Sequence, residues 1–175
     1  FQSIAAPVPE VLAIKESRDI YLQKDLGDVS LLHVLENQGT SEEVYALFQK
    51  SLASLAHLQI QGDKVLDYDK CITSKEFGEQ AILADLLYFK YYFLDTLKIP
   101  YDKEKLIEEF EALSNYLSHV DHKYFMYRDF QSRNIMVGGK DIFFIDYQGG
   151  MKGALQYDVA SLLWQAKANL PDEWK

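Results

Sequence analysis

Two short polar runs on either side of an apolar hairpin contain the side chains that are best suited to chemistry. The first run, Tyr127–Asn134, includes Asp129 and Asn134, and the second, Ile145–Gln148, includes Asp146. A carboxylate such as that of Asp129 can orient and deprotonate a hydroxyl group. An amide oxygen and a carboxylate suit Mg²⁺, which takes one or two protein ligands together with phosphate oxygens. The three residues therefore predict a site that activates a hydroxyl group beside a magnesium ion.

The hairpin between the two runs would bring these side chains together. Its predicted strands, Ile135–Val137 and Ile142–Ile145, are apolar and rich in β-branched and aromatic residues, and the turn Gly138–Asp141 joins them. Antiparallel pairing places the start of the first strand beside the end of the second. We therefore expect Asn134 and Asp146 to lie side by side, with the preceding loop close to them.

Taken singly, such residues usually have structural roles. Asp and Asn in loops most often bond their own backbone and form turns. The combination favours a functional interpretation, because Asp146 ends an apolar strand, where a carboxylate is costly unless it is paired or bound to a metal. We interpret the two arginines of the loop, Arg128 and Arg133, as surface or loop-bracing cations and leave them out of the catalytic set. The four histidines show no metal-ligand spacing.

The composition indicates one globular unit and argues against several classes of protein. The chain has 175 residues, of which 48% are hydrophobic and 26% charged, enough for a sizeable core. Its formal net charge is -9, with Lys and Arg scattered along the chain, which argues against nucleic-acid binding. The most apolar stretch, residues 81–97, is interrupted by charges and is too short to cross a bilayer. With Cys71 as the sole cysteine, a cytoplasmic protein without a membrane anchor is expected.

Helical patterns occupy most of the chain after two short N-terminal strands. The strands are predicted at Val11–Ile14 and Ile20–Gln23, followed by an irregular connector that ends at Asp28. Helices are predicted in five places: Val29–Glu36 capped by Asp28, a helix from the Thr40 and Glu43 capping box to about Gly62, Glu79–Leu97, a helix after the cap Asp102, and Tyr157–Ala168. The predicted fold class is α+β.

The order of these elements and motifs resembles the aminoglycoside phosphotransferase family, whose fold is protein-kinase-like. The motifs that carry the resemblance are Arg128-Asp129-Phe130, Ser132-Arg133-Asn134, Ile145-Asp146-Tyr147-Gln148 and Tyr157–Leu163, with the acidic, aromatic segment Leu83–Tyr92 before them. Within the family, the pattern is most similar to bacterial kinases that phosphorylate the anomeric hydroxyl of N-acetylmuramate and N-acetylglucosamine. The resemblance implies that residues 1–28 are the last strands of an N-terminal lobe and its hinge, and residues 29–175 a helical C-terminal lobe.

The resemblance also implies ATP and Mg²⁺ as cofactors, a sugar-like small molecule as substrate, and a role for each matched residue. For chemistry it implies Asp129 as the catalytic base and Asn134 and Asp146 as magnesium ligands. For binding and support it implies five more residues: Gln23, Lys24 and Asp25 with their backbone against adenine, Asp85 at the substrate, and Asp158 as a brace of the catalytic loop.

Three departures from the family pattern leave alternatives open. Tyr127 stands at a packing position where the family usually has His, and Gln131 replaces a His two residues after the base, so no residue is assigned to steady the γ-phosphate. No Gly-rich loop, strand lysine or partner glutamate precedes Tyr21, and Phe1 is not an initiator methionine, which indicates part of a longer chain. These 175 residues alone are expected to be inactive. The alternatives are a kinase-fold binding or regulatory module without transfer activity, and a kinase of aminoglycosides or choline-like amines.

Overall fold

The computed structural model describes residues 1–175 as five α-helices and three two-stranded sheets. The helices are α1 (Leu31–Gln38), α2 (Glu42–Asp63), α3 (Glu79–Phe89), α4 (Lys103–Ser118) and α5 (Leu155–Leu163). The strands are β1 (Val11–Ile14), β2 (Tyr21–Gln23), β3 (Tyr124–Met126), β4 (Ile135–Gly138), β5 (Asp141–Phe144) and β6 (Met151–Gly153). Each sheet is an antiparallel pair: β1 with β2, β3 with β6, and β4 with β5.

Side-chain caps begin three of the helices, and two of the caps differ from the predictions. Asp102 caps α4, as predicted, by accepting hydrogen bonds from two backbone N–H groups of the first turn. The cap of α1 is Ser30 and not Asp28, and the cap of α2 is Ser41 and not Thr40. In both corrected cases the serine directly precedes the first helical residue, so its hydroxyl reaches a free N–H group of the first turn.

Two predicted helices leave α-geometry earlier than expected. The helix that begins at Glu79 changes at Lys90 into a π-helical segment that ends at Asp95. The ammonium of Lys90 lies 2.9 Å from the carboxylate of Asp95, five residues later, which matches the wider π-helical spacing. Helix α5 stops at Leu163 and not at Ala168, and the Gln165 side chain donates a hydrogen bond to the Leu162 carbonyl that this end leaves open.

The predicted hairpin forms as β4 and β5, with Ile135 opposite Phe144. The pair β3–β6 was not predicted, because its strands are three residues long and lie far apart in the sequence. This second pair needs a glycine beside it, since a Cβ atom at Gly150 would collide with the ring of Phe125. Strand β3 leads directly into the loop that carries Asp129.

The core lies between α1, α2, α5 and the β4–β5 hairpin and contains 20 buried apolar residues. The rings of Tyr127, Phe130 and Phe144 are fully buried and pack edge to face. Because Tyr127 and Phe130 flank Arg128 and Asp129, this packing fixes both ends of that short stretch. No helix has both the length and the apolar character that crossing a membrane requires.

Candidate active site

A buried carboxylate, that of Asp158 in α5, holds the backbone just before Asp129. It accepts hydrogen bonds from the N–H groups of Tyr127 at 2.8 Å and Arg128 at 3.0 Å, and from the amide of Gln59 at 2.7 Å. Burial raises the pKa of this carboxyl to about 6, although the three donors favour its charged form. Arg128 has a φ of 81°, a left-handed conformation that is uncommon outside glycine. The carboxylate of Asp158 therefore stabilises a strained turn.

Tyr127 connects this loop to the second polar run. Its hydroxyl donates a hydrogen bond to the carbonyl of Ile145, the residue before Asp146. Burial and the nearby charge of Asp146 raise the pKa of the Tyr127 hydroxyl, so the phenol stays a neutral donor. Tyr127 is buried, as expected for a packing position, and its hydroxyl also connects the two polar runs.

Asp129 and Asn134 are in direct contact. The Asn134 amide donates hydrogen bonds to the backbone carbonyl and to Oδ2 of Asp129, both at 2.9 Å. This contact holds the proposed base at the mouth of the loop and orients the amide group. The oxygen of the Asn134 amide accepts no hydrogen bond from the protein, so it is free to bind a metal ion.

Asp146 follows the hairpin strand that pairs with the start of β4. The Ile145 N–H group donates to the Asn134 carbonyl at 3.0 Å, so the two predicted magnesium ligands lie on adjacent chain segments, as the hairpin pattern predicted. Asp146 has a φ of 63°, and its carboxylate makes no hydrogen bond or ion pair with the protein. It lines a cleft of about 890 Å³ whose other wall is the β1–β2 hairpin.

These oxygen atoms fit a magnesium ion. A carboxylate and an amide oxygen are hard ligands, and neither of the two has a protein partner. No group of three or more His, Cys, Asp or Glu side chains is placed to hold a metal ion in this chain. An ion bound by Asn134 and Asp146 would thus take its other ligands from outside the protein, as Mg²⁺ does when it binds phosphate oxygens.

The predicted hinge residues line a smaller pocket next to this cleft. Gln23, Lys24 and Asp25 form one side of a cavity of about 180 Å³, which shares Gln23 and Ile145 with the larger cleft. The two cavities therefore adjoin one another between the hinge and Asp146. The Lys24 N–H group already donates to the Glu10 carbonyl at 2.8 Å, so it is not available to an adenine ring.

Asp85, the candidate substrate ligand, is paired with an arginine of the catalytic loop. Arg128 donates from Nη1 to Oδ2 of Asp85 at 2.7 Å and from Nη2 to Oδ1 at 3.1 Å. The guanidinium also lies 4.7 Å from the ring centre of Phe77 and 5.6 Å from that of Tyr157. Arg128 is thus a loop brace, as interpreted from the sequence, and the charge of Asp85 is already compensated.

Two contacts of the loop were missed by sequence reasoning. The Ser132 hydroxyl and N–H group donate to Oε1 of Gln165 at 2.8 and 3.3 Å. Arg133 lies with Nη2 3.1 Å from Oδ2 of Asp129. Arg133 follows Asp129 by four residues, but this spacing does not predict a contact in an irregular loop, where the backbone conformation is not regular. No motif in the sequence indicated a role for Gln165, since it lies after the last motif, Tyr157–Leu163.

Comparison with known proteins gives a family and a fold. The model of the family described as "Phosphotransferase enzyme family" matches residues 2–175. No curated protein matches the sequence. A crystal structure of a choline/ethanolamine kinase family protein from Mesorhizobium loti is similar, with a TM-score of 0.62 and 15% identity over 98% of this chain and 55% of that one. A thermostable mutant of the aminoglycoside phosphotransferase APH(4)-Ia, in complex with ADP and hygromycin B, gives a TM-score of 0.54 and 19% identity over 90% of this chain and 55% of that one. The chain therefore spans about half the length of either structure.

Proposed function

The chain belongs to the phosphotransferase enzyme family, and from this premise we propose that it provides the base and the metal ligands of an ATP- and Mg²⁺-dependent kinase. Its fold is α+β and protein-kinase-like, as predicted from the sequence. The proposed reaction is phosphorylation of a hydroxyl group on a small molecule, a sugar or amino sugar. Two contacts carry this proposal. The Asn134 amide bonds the carboxylate of Asp129, and the Asn134 carbonyl accepts a hydrogen bond from Ile145, the residue before Asp146.

In this proposal, Asp129 accepts the proton of the acceptor hydroxyl as the oxygen bonds to the γ-phosphorus. Asn134 holds the carboxylate of Asp129 in place and, with Asp146, provides oxygen ligands for magnesium. When bound, Mg²⁺ supplies charge neutralisation to the phosphate groups. Catalysis by the protein would then consist mainly of positioning, which agrees with a loop fixed by Asp158 and Gln165.

The nucleotide would lie in the two adjoining cavities, with adenine at the hinge and the phosphates toward Asp146. The backbone of Gln23 and Asp25, together with the Lys24 carbonyl, would face the adenine edge, since the Lys24 N–H group is occupied. We propose a cytoplasmic location, which the proposed use of ATP and the free thiol of Cys71 support.

The surroundings of Asp85 favour an acceptor without positive charge over a cationic one. A cationic aminoglycoside or choline-like amine would need free carboxylates, and that of Asp85 is bound to Arg128. Beyond Asp85, the rings of Tyr88 in α3 and Tyr92 in the π-helical segment stack with their centres 4.2 Å apart and are exposed. Stacked aromatic rings suit the apolar face of a sugar ring. A binding module without transfer activity is not favoured, because the chain retains Asp129, Asn134 and Asp146 together.

A transfer assay tests the proposal. The full-length protein is incubated with Mg-ATP and single acceptors: N-acetylglucosamine, N-acetylmuramate, an aminoglycoside and choline. Mass spectrometry should detect a phosphorylated amino sugar with the wild-type protein. Asp129→Asn should slow its formation by about 1,000-fold. Equal turnover by the variant, or ATP consumption that does not depend on any acceptor, would contradict the proposed function.

A further inference from the structure

The guanidinium of Arg133 forms hydrogen bonds and an ion pair with the proposed base and with no other group of the protein. Its Nη2 atom lies 3.1 Å from Oδ2 and 3.4 Å from Oδ1 of Asp129. Oδ2 also accepts the hydrogen bond from the Asn134 amide, at 2.9 Å. The carboxylate of Asp129 therefore has an amide on one side and a cation on the other, and Arg133 is the only cation in contact with it.

Bracing of the loop does not account for this arginine. The side chains of Arg133 and Asp129 are 58% and 43% exposed, and exposed ion pairs contribute little to stability. Three buried or half-buried groups already hold the same loop, namely Asp158, Gln165 and Asn134. Arg133 uses only Nη2, so the donors on Nη1 and Nε remain free for a ligand at the base.

We propose that Arg133 is a catalytic residue that donates hydrogen bonds to the γ-phosphoryl group during transfer, an inference that rests on the proposed function. An acceptor hydroxyl bound to Asp129 has its oxygen about 2.7 Å from the carboxylate. In-line attack brings the phosphorus to about 3–3.5 Å from that oxygen. The phosphoryl oxygens then come within reach of a guanidinium that already touches the same carboxylate, and its planar fork matches two phosphate oxygens.

The chemical step is balanced without any further reactant. The acceptor oxygen forms a bond to the γ-phosphorus, and the bond from that phosphorus to the β–γ bridging oxygen breaks. The bridging oxygen leaves with the electron pair as part of ADP, and the hydroxyl proton passes to Asp129. Arg133 keeps its protons and stabilises the negative charge on the non-bridging oxygens.

Gln131, which stands near Asp129 in the same loop, does not supply a positive charge for the γ-phosphoryl group. The side chain of Gln131 is a neutral amide that makes no hydrogen bond with the protein. A neutral amide offers less stabilisation to a phosphoryl group than a cation does. Arg133, two residues later in the same turn, supplies the positive charge that Gln131 lacks.

The test measures kcat and KM for ATP in the full-length protein. Four forms are compared: wild type, Arg133→Ala, Arg133→Lys and the control Lys50→Ala. The acceptor is the one that the wild-type protein phosphorylates in the transfer assay with N-acetylglucosamine, N-acetylmuramate, an aminoglycoside and choline. Lys50 is an exposed cation paired with Asp141 at the far end of the same hairpin, so it reports on charge loss alone. Arg133→Ala should lower kcat by about 100-fold or more with little change in KM for ATP. Arg133→Lys should retain an intermediate rate, and Lys50→Ala should match the wild-type protein.

Added guanidinium ion separates a catalytic role from a structural one. Low concentrations of guanidinium or methylguanidinium should restore part of the activity of Arg133→Ala and leave Asp129→Asn inactive. An Arg133→Ala rate within threefold of wild type, while Asp129→Asn is inactive, would overturn the role of Arg133 and leave the proposed function standing. A loss of activity with an altered thermal midpoint and no rescue by guanidinium would likewise overturn it. Absence of transfer by the wild-type protein to all four acceptors would overturn the proposed function and this inference with it.

Discussion

The catalytic loop, residues 127–134, and the aromatic segment, residues 88–93, differ in how they are held. Asp158 of α5, which Gln59 of α2 holds in turn, fixes the backbone of the loop at Tyr127 and Arg128, and Gln165, just after α5, fixes Ser132. The aromatic segment lies where α3 changes to a π-helix. Its five aromatic rings are exposed, and four of them form two stacked pairs. The Asp85–Arg128 ion pair connects the helix of the second region with the loop of the first.

Under the proposed function, this difference separates chemistry in the loop from recognition in the aromatic segment. A base and a metal ligand must be held within a few tenths of an ångström, which buried hydrogen bonds achieve. Contact with a ligand ring tolerates more freedom, and exposed aromatic side chains provide it at little cost in stability. Substitutions in the loop should therefore affect rate or folding strongly, and substitutions in the aromatic segment should affect acceptor binding alone.

The largest effect is expected at Asp146, the proposed metal ligand next to the loop. Asp146→Asn removes the charge of a carboxylate that has no protein partner, so folding should be unaffected while the transfer rate falls by about 1,000-fold. Asp141→Asn, at the other end of β5, is the matched control and should retain wild-type activity. Kinetics at increasing Mg²⁺ concentration measure the effect, and a variant that saturates at the wild-type rate would exclude Asp146 as a ligand.

Removal of the buried brace should destabilise the protein. Asp158→Ala leaves the N–H groups of Tyr127 and Arg128 and the amide of Gln59 without an acceptor, and we expect a loss of about 2–3 kcal/mol in the free energy of unfolding. Urea denaturation measures this loss. Asp172→Ala, which removes a carboxylate that is 98% exposed, should change nothing. Similar stability of both variants would show that the loop does not depend on Asp158.

The same carboxyl predicts a dependence of stability on pH. Burial raises the pKa of Asp158 from an ordinary value of 3.8 to about 6 in the folded state. The folded protein therefore holds this proton more tightly than the unfolded chain, and the resulting stabilisation is complete below about pH 3.8 and is lost as the pH rises through about 6. The difference in unfolding free energy between the wild-type protein and Asp158→Ala should shrink by roughly 2 kcal/mol across this window. A difference that stays constant, or grows, would contradict the assignment.

The smallest effect is expected in the aromatic segment. Tyr92 is 67% exposed and stacks only on Tyr88, so Tyr92→Ala should change stability by less than about 0.5 kcal/mol. Loss of a stacking contact should raise KM for the acceptor by about 3- to 10-fold with kcat unchanged. Tyr116→Ala, on the exposed face of α4, is the control. An equal effect of both substitutions on KM would remove the functional distinction between the two regions.

Local patterns predicted one part of the site, and long-range contacts determined the rest. The hairpin register, and with it the proximity of Asn134 to the residue before Asp146, followed from strand pattern and turn residues. The contact of Gln59 with Asp158 joins residues 99 positions apart, so no local pattern contains it. The contact of Arg133 with Asp129 was not predicted, because the direction of a loop side chain depends on the packing of the whole loop.

A double-mutant cycle on Asp129 and Asn134 tests the central claim most directly. The rate of acceptor phosphorylation from Mg-ATP is measured for the wild-type protein, Asp129→Asn, Asn134→Ala and the double variant. Because the amide of Asn134 holds Oδ2 of Asp129 at 2.9 Å, the two residues should act as a unit. We predict that the double variant is about as slow as the slower single variant. Rate losses that multiply, or single variants as fast as the wild-type protein, would contradict a kinase site built on this pair.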